Sequence, residues 1–259
     1  MFPTLVFDIE TIPDVAGLRR LHDLPSELTD SEVAKWGFAQ QRIKNGSDFL
    51  PPYLQRVCAI SCVLREGADK LAVWTLGEES DDETAIVQKF FDLIDKRTPQ
   101  LISWNGGGFD LPVLMQRGLL AGVSASRFLE TGANDRAFNF DHYLNRYKER
   151  HLDLMDFLAM YQARANAPLD AMAKLAGFPG KLGMDGSKVW DAFERGEIAN
   201  IRAYCETDVM NTYLVFLRFQ MMRGELSDSQ YADEINLVRE KLRANSASHW
   251  KEYLQAWNA

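Results

Sequence analysis

Asp8 and Glu10 stand one residue apart in "LVFDIETIP", at the end of a run of apolar and β-branched residues. Side chains of a strand alternate between its two faces, so these two carboxylates share one face. Another acid lies far along the chain, in "IRAYCETDVMNTYLVFLRF". Wound as a helix, this stretch puts Ile201, Cys205, Val209, Thr212, Phe216 and Phe219 on one apolar stripe. Asp208 falls near the middle of that stripe, Tyr204 one turn earlier at its edge, and Glu206 on the opposite side, toward water. A carboxylate facing a core costs several kcal/mol or takes up a proton unless it is paired. Its partner is then either a basic residue elsewhere or a bound cation. Asp110 follows three glycines in "SWNGGGFDLPVL", and it reads either as a helix N-cap or as a further ligand.

Together the four acids suggest more than each does alone. Two carboxylates about 4 Å apart repel by about 4 kcal/mol at an effective dielectric of about 20. A cluster of four therefore requires cations or shared protons. Oxygen-only donor sets suit Mg²⁺ or Mn²⁺, and a pair of such ions is a device for in-line attack on a phosphodiester. The expectation is that Asp8, Glu10, Asp110 and Asp208 hold two divalent metal ions, Mg²⁺ or Mn²⁺.

The elements that must bring these acids together are legible along the chain. A first strand is expected over 2–9, then helical pieces between 14 and 55, around "VAGLRRLHDL" and "SEVAKWGFAQQRI". "RVCAISCVL" and "LAVWTL" read as a hairpin of two strands. "ESDDETAIVQKFFDLIDKR" is an amphipathic helix with an acidic first turn, "QLISWN" a short strand, and "LPVLMQRGLLAG" a helix with proline near its start and glycine past its end. "HLDLMDFL" reads as a strand running into a helix, "LDAMAKLAGF" and "SKVWDAFERG" as short helices, 197–222 as a long helix and the remainder as a helical tail. Strands that alternate with helices make this an α/β protein with a mixed sheet.

Bulk properties narrow the classes. The chain has 259 residues, 46% of them apolar and 25% charged, which is enough for a full core. Its net charge of −8 argues against a protein held to duplex nucleic acid mainly by overall positive charge. No stretch is apolar enough to span a membrane, and the start shows no signal-peptide pattern. Cys58, Cys62 and Cys205 form no CxxC pair, so a cytoplasmic, reduced protein is expected.

"FDIET", "NGGGFDLPVL" and "YCETDVMNTYL" resemble the three motifs of the DEDD superfamily of 3′–5′ exonucleases, the third in the Tyr-x-x-x-Asp form of its tyrosine subgroup. "PGKLGMDGSKVWDAFERGEIANIRAYCETDVMNTYLVFLRFQ" is similar to a bacterial group of stand-alone proteins related to the proofreading domain of family-B DNA polymerases. The resemblance covers about residues 1–222. It implies a ribonuclease-H-like domain over 1–222 with a mixed five-stranded sheet flanked by helices, a helical insertion at 14–55 and a helical C-terminal extension at 223–259. It also implies roles. Asp8, Glu10 and Asp208 would bind the metal at the attacking water, Asp8 and Asp110 the second metal, and Tyr204 would orient the water or help deprotonate it. Thr11 and Ile12 would contact the terminal nucleotide. Asn105 would position the strand or the substrate, unless it caps the turn. Phe109 would pack under the terminal base, unless it is core.

Other residues are open to two readings. Asp153 and Asp156 are either supports behind the ligands or helix caps. Lys174, Lys181 and Lys188 either line a path for phosphates or form a solvated face. "NRYKERH" reads as surface. The expected substrate is the 3′ end of single-stranded or unpaired DNA, with RNA ends as the alternative and a polymerase or repair partner supplied in trans. Two further rivals are a non-catalytic single-strand-binding module and a phosphatase of the haloacid dehalogenase type, whose first strand ends in two aspartates with the first as nucleophile.

Overall fold

The structure, a computed structural model, describes residues 3–67 and 69–258. The first strand β1 (Thr4–Pro13) runs longer than expected, and Phe2, where it was expected to begin, lies outside the described residues. β2 (Gln55–Glu66) and β3 (Lys70–Thr75) form the hairpin, while β4 (Gln100–Ser103) and β5 (His151–Asp153) are short. The order across the sheet is β3-β2-β1-β4-β5. β1 and β3 each pair antiparallel with β2, and β4 runs parallel to both β1 and β5. The fold is thus a mixed five-stranded α/β sheet of the ribonuclease-H-like kind, and β1 lies at its centre.

Alternation along β1 divides the core. Leu5, Phe7 and Ile9 point to the face covered by α3 (Glu83–Arg97) and α4 (Asp110–Ala121), packing with Phe90, Ile94 and Leu114. Val6 points to the other face, among Val209, Tyr213 and Leu217 of α8 (Ile198–Met222). Asp8 and Glu10 continue the Val6 side, so the strand period aims both acids at the long helix. Just beyond them the ladder slips: Glu10 pairs with Ala59 and Thr11 with Val57, which leaves Cys58 as an extra residue on β2. The Cys58 thiol donates to the Glu10 carbonyl at 3.3 Å, which ties the bulge to the acid's own backbone.

The expected single apolar stripe on α8 is only half of what the helix does. It is buried on nearly every side, because the sheet covers one flank and four other helices cover the rest. Those are α6 (Leu169–Leu175), α7 (Val189–Glu194), α9 (Asp228–Ala244) and α10 (Ser248–Trp257). Val238, Leu242, Trp250 and Tyr253 of the tail belong to the same core as Val6 and Ile102. Glu206 is accordingly not turned to water. It accepts from Thr75 Oγ1 at 2.9 Å and pairs with His249 at 3.0 Å.

Between β1 and β2, α1 (Val15–His22) and α2 (Asp30–Asn45) build a small core of their own from Leu18, Val33, Leu50 and Leu54. Three short helices complete the chain order: α5 (Leu154–Leu158) after β5, then α6, then α7 (Val189–Glu194). Arg117 of α4 joins the first of these segments to the rest. Its guanidinium is bidentate on Glu83 (2.8 and 2.5 Å), reaches Asp14 at 2.5 Å and donates to the Tyr53 carbonyl at 2.9 Å.

Both ends of the 14–55 segment are therefore fixed to one buried cation. Arg117→Ala takes the cation from two carboxylates and should destabilise the fold by about 3 kcal/mol in a urea titration. Arg117→Met, which keeps the buried stem, should cost less. Equal stability of Arg117→Ala and the wild type would show that the clamp is dispensable.

Candidate active site

Each acid arrives on a different element. Asp8 and Glu10 come from β1 and face α8. Asp208 comes from α8, with Tyr204 one turn before it on the same side. Asp110 arrives through the glycine-rich turn after β4. That turn is shaped by Asn105, which takes a left-handed conformation at φ 65°, and by Gly106, where a Cβ would meet Ser103 Oγ at 2.3 Å. Asp153 holds the turn from behind: its carboxylate accepts from the backbone N–H groups of Asn105 and Gly107, both at 2.9 Å. It also caps α5, so both roles considered for it are filled.

Asp110 is not the helix cap. The cap position belongs to Phe109, and Asp110 is the first helical residue, 4% exposed, where its own backbone N–H and that of Ile9 favour its charged form against the larger effect of burial. A short polar residue at this spot reads as a cap from sequence. Here the tight turn brings the side chain against β1 instead.

The site's electrostatics follow from this crowding. Burial, and then the charges of Asp110 and Asp208, push Asp8 well above the ordinary carboxylate range. Burial and the neighbouring Asp8 and Asp208 do the same to Glu10. Burial lifts Asp110 to about 7 and also raises Asp208. Lys181 acts against this crowding. Its Nζ lies 3.1 Å from Asp208 Oδ2 and 2.5 Å from the Tyr204 hydroxyl. Burial pulls the Lys181 amine down, but the charges of Asp208, Asp8 and Glu10 outweigh it and hold the amine above its usual value. The basic partner weighed for Asp208 thus exists, and its charge is felt by Asp8 and Glu10 as well.

Burial, followed by the surrounding carboxylates, drives the Tyr204 hydroxyl far up the scale. It therefore keeps its proton, which suits orienting a group and not acting as a phenolate base. His151 is no base either. It is buried, bonded to Ser103 Oγ at 2.8 Å, and held down to about 4 by desolvation.

The donor set fits divalent cations. Asp208 Oδ1 is buried with no hydrogen-bond partner among the described residues. Ligand atoms of Asp8, Glu10 and Cys205 lie within 4.8 Å of one another. Hard carboxylate oxygens match Mg²⁺ or Mn²⁺. Cys205 was not foreseen beyond its place on the apolar stripe. Its thiol touches the Asp8 carbonyl at 3.4 Å and Asp8 Oδ2 at 3.6 Å.

The other expected contacts divide. Lys181, Asn105 and Asp8 line a cleft of about 560 Å³ with Asp208, and an adjoining hollow of about 550 Å³ shares Asn105, Met155 and Asn166 with it. Thr11 is half-buried and spends its hydroxyl on Gln55 at 2.9 Å. The Ile12 side chain is core, 1% exposed among Val189, Ile201 and Tyr204, so it offers no surface to a nucleotide. Phe109 is partly buried and packs against the ring of Phe49, 5.2 Å away. Lys188 pairs with Asp185 at 3.3 Å and lines a different hollow, while Lys174 pairs with Asp170 at 2.9 Å. Asp156 holds Arg146 in a two-bond pair at 2.6 and 2.7 Å.

Comparison with known proteins places this geometry. A family described as a predicted 3′–5′ exonuclease related to the exonuclease domain of PolB matches residues 47–257. The matched segment includes Asp110, Lys181, Tyr204 and Asp208, and the fold adds Asp8 and Glu10 from outside it. Among solved structures, the family B DNA polymerase of the hyperthermophilic archaeon Pyrobaculum calidifontis is similar in fold, with a TM-score of 0.53 and 18% identity. The match covers 86% of this chain and 25% of the polymerase, so the chain spans about a quarter of that protein's length. No curated protein matches the sequence significantly.

Crowded acids leave a signature in stability. A carboxyl with a raised folded-state pKa binds more protons folded than unfolded, so stability falls as pH climbs through that value. His151 works the other way, but only below its unfolded pKa of about 6.5. Between pH 6.5 and 8 the protein in EDTA should lose about 1–2 kcal/mol of unfolding free energy, and saturating Mn²⁺ should abolish the loss. Urea titrations at the two pH values decide it; equal stability in EDTA would contradict the crowding.

Proposed function

This chain belongs to the family of predicted 3′–5′ exonucleases related to the exonuclease domain of PolB, and from that premise we propose that it removes nucleotides from the 3′ ends of single-stranded or unpaired DNA by two-metal-ion phosphodiester hydrolysis. The observation that carries this reading is the crowding of four acids: the charges of Asp110 and Asp208 bear on both Asp8 and Glu10, while Asp8 and Asp208 line one cleft with Asp208 Oδ1 left unsatisfied. A binding module has no need to bury mutually repelling acids. The second acid of the first strand is a glutamate, and that strand is paired through to Pro13, which does not favour the phosphatase alternative.

In this reading Asp8, Glu10 and Asp208 hold one ion, and Asp8 with Asp110 holds the other. Bound Mg²⁺ or Mn²⁺ supplies charge neutralisation at the phosphoryl oxygens and an acidified water. The chain's own groups do the rest. Tyr204 keeps its proton and orients the attacking water through its hydroxyl. Lys181 is placed to move from Asp208 toward a phosphate oxygen as charge is redistributed. Phe109, backed by Phe49, presents an aromatic edge beside Asp110 on which a terminal base can stack. The cleft and the hollow that continues it fit a strand threaded end-on, and local contacts of this kind suffice on a chain of net charge −8.

A 5′-labelled single-stranded DNA oligonucleotide and its RNA counterpart, incubated with Mg²⁺, Mn²⁺ or EDTA, test the reading. The expected result is a metal-dependent ladder shortening from the 3′ end, faster on DNA. Asp8→Ala and Asp208→Ala should each reduce cleavage by at least about 10³-fold while remaining folded. Tyr204→Phe should slow it by about 10- to 100-fold. Faster shortening of the RNA would move the assignment to an exoribonuclease. Binding without cleavage in any lane would overturn the enzyme.

A further inference from the structure

Asn211 is fully buried, one turn beyond Asp208 on α8, and nothing in the proposed chemistry uses it. Its side-chain amide is nonetheless satisfied on both ends. Nδ2 donates to the Gly180 carbonyl at 2.9 Å, and Oδ1 accepts from the Gly180 N–H at 3.2 Å. The Tyr253 hydroxyl of α10 donates to the same Oδ1 at 2.7 Å. The amide thus pairs with both polar groups of a single backbone residue, and the tail supplies the third bond. That residue immediately precedes Lys181.

Gly180 lies at φ +69°, where a Cβ would meet Asp170 Oδ1 at 2.5 Å. Asp170 also accepts from the Lys181 N–H at 2.7 Å. The backbone entering Lys181 is therefore gripped from two sides, by Asn211 and by Asp170. Beyond it, Gly183 and Gly186 have open space where a Cβ would stand. The amine that pairs with Asp208 stands on this grip. A second strut links the tail to the site: His249 pairs with Glu206, Glu206 with Thr75 at 2.9 Å, and Thr75 with Ser61 at 2.8 Å. Ser61 pairs across the strands with Asp8, beside which the Cys205 thiol lies.

We infer that the C-terminal helices are part of the active-site frame, with Asn211 and Tyr253 as positioning residues that hold Lys181 against Tyr204 and Asp208. The inference rests on the exonuclease reading only for its kinetic arm. A full-length Tyr253→Phe protein loses one hydroxyl, and Asn211→Ala the whole amide. Hydrogen–deuterium exchange in EDTA should show residues 179–183 exchanging at least about 10-fold faster in both variants, with β1 and the first half of α8 as protected as in the wild type.

On the labelled oligonucleotide, kcat should fall by about 3- to 10-fold for Tyr253→Phe and by about 10- to 100-fold for Asn211→Ala. Placed on Lys181→Ala, each should lose less than about 2-fold further, because the group being positioned is gone. A general packing defect would instead multiply with Lys181→Ala and loosen α8, and either result overturns the inference. Unchanged exchange at 179–183 does so as well. Should Asn211→Ala fail to fold, Tyr253→Phe carries both arms. A wild-type protein that cleaves nothing would sink the exonuclease reading, and the exchange arm would still decide this one.

Discussion

Mutual repulsion among four crowded carboxylates, three of them buried, is the constraint on which the rest of the structure depends. Two ionised carboxylates brought to about 4 Å repel by about 4 kcal/mol at an effective dielectric of about 20. No fold keeps such a cluster by accident, because one apolar substitution would relieve it. Raised carboxyl pKa values and Lys181, seated between Asp208 and Tyr204, both reduce that charge. Two divalent cations would neutralise the same charge more fully and leave the lysine available to the substrate.

Everything around the cluster serves to hold it against this repulsion. The strand period of β1 aims Asp8 and Glu10 at α8, and the bulge at Cys58 fixes the backbone just after them. The glycine turn delivers Asp110 with Asp153 pinning it from behind. Helix α8 is wedged between the sheet and the tail, so Asp208 has nowhere to retreat. Buried polar groups near the site are nearly all paired, which makes the unpaired Asp208 Oδ1 the informative exception.

Much of this was legible in the sequence, and for physical reasons. A period of two placed Asp8 and Glu10 on one face, helical spacing put Tyr204 and Asp208 on one side, and three glycines announced a tight turn before Asp110. What was not legible depended on long-range packing. The apolar pattern of α8 reports the face against the sheet, but a tail that covers its other flank cannot be read from that helix alone. Glu206 therefore read as solvent-facing, although Thr75 and His249 hold it. Ile12 was expected at the terminal nucleotide from the resemblance of the motif it follows, yet after the bulge its side chain enters the core. Lys181 and Lys188 share a loop without periodicity, so only the fold separates the one at the acids from the one on Asp185.

The most direct test is a crystal of the wild-type protein soaked in Mn²⁺, with diffraction recorded at the manganese absorption edge. The account predicts anomalous density among Asp8, Glu10 and Asp208, a second peak toward Asp110, and Lys181 Nζ withdrawn from Asp208. A cleft without anomalous density, with Lys181 still paired to Asp208 at saturating Mn²⁺, would contradict it.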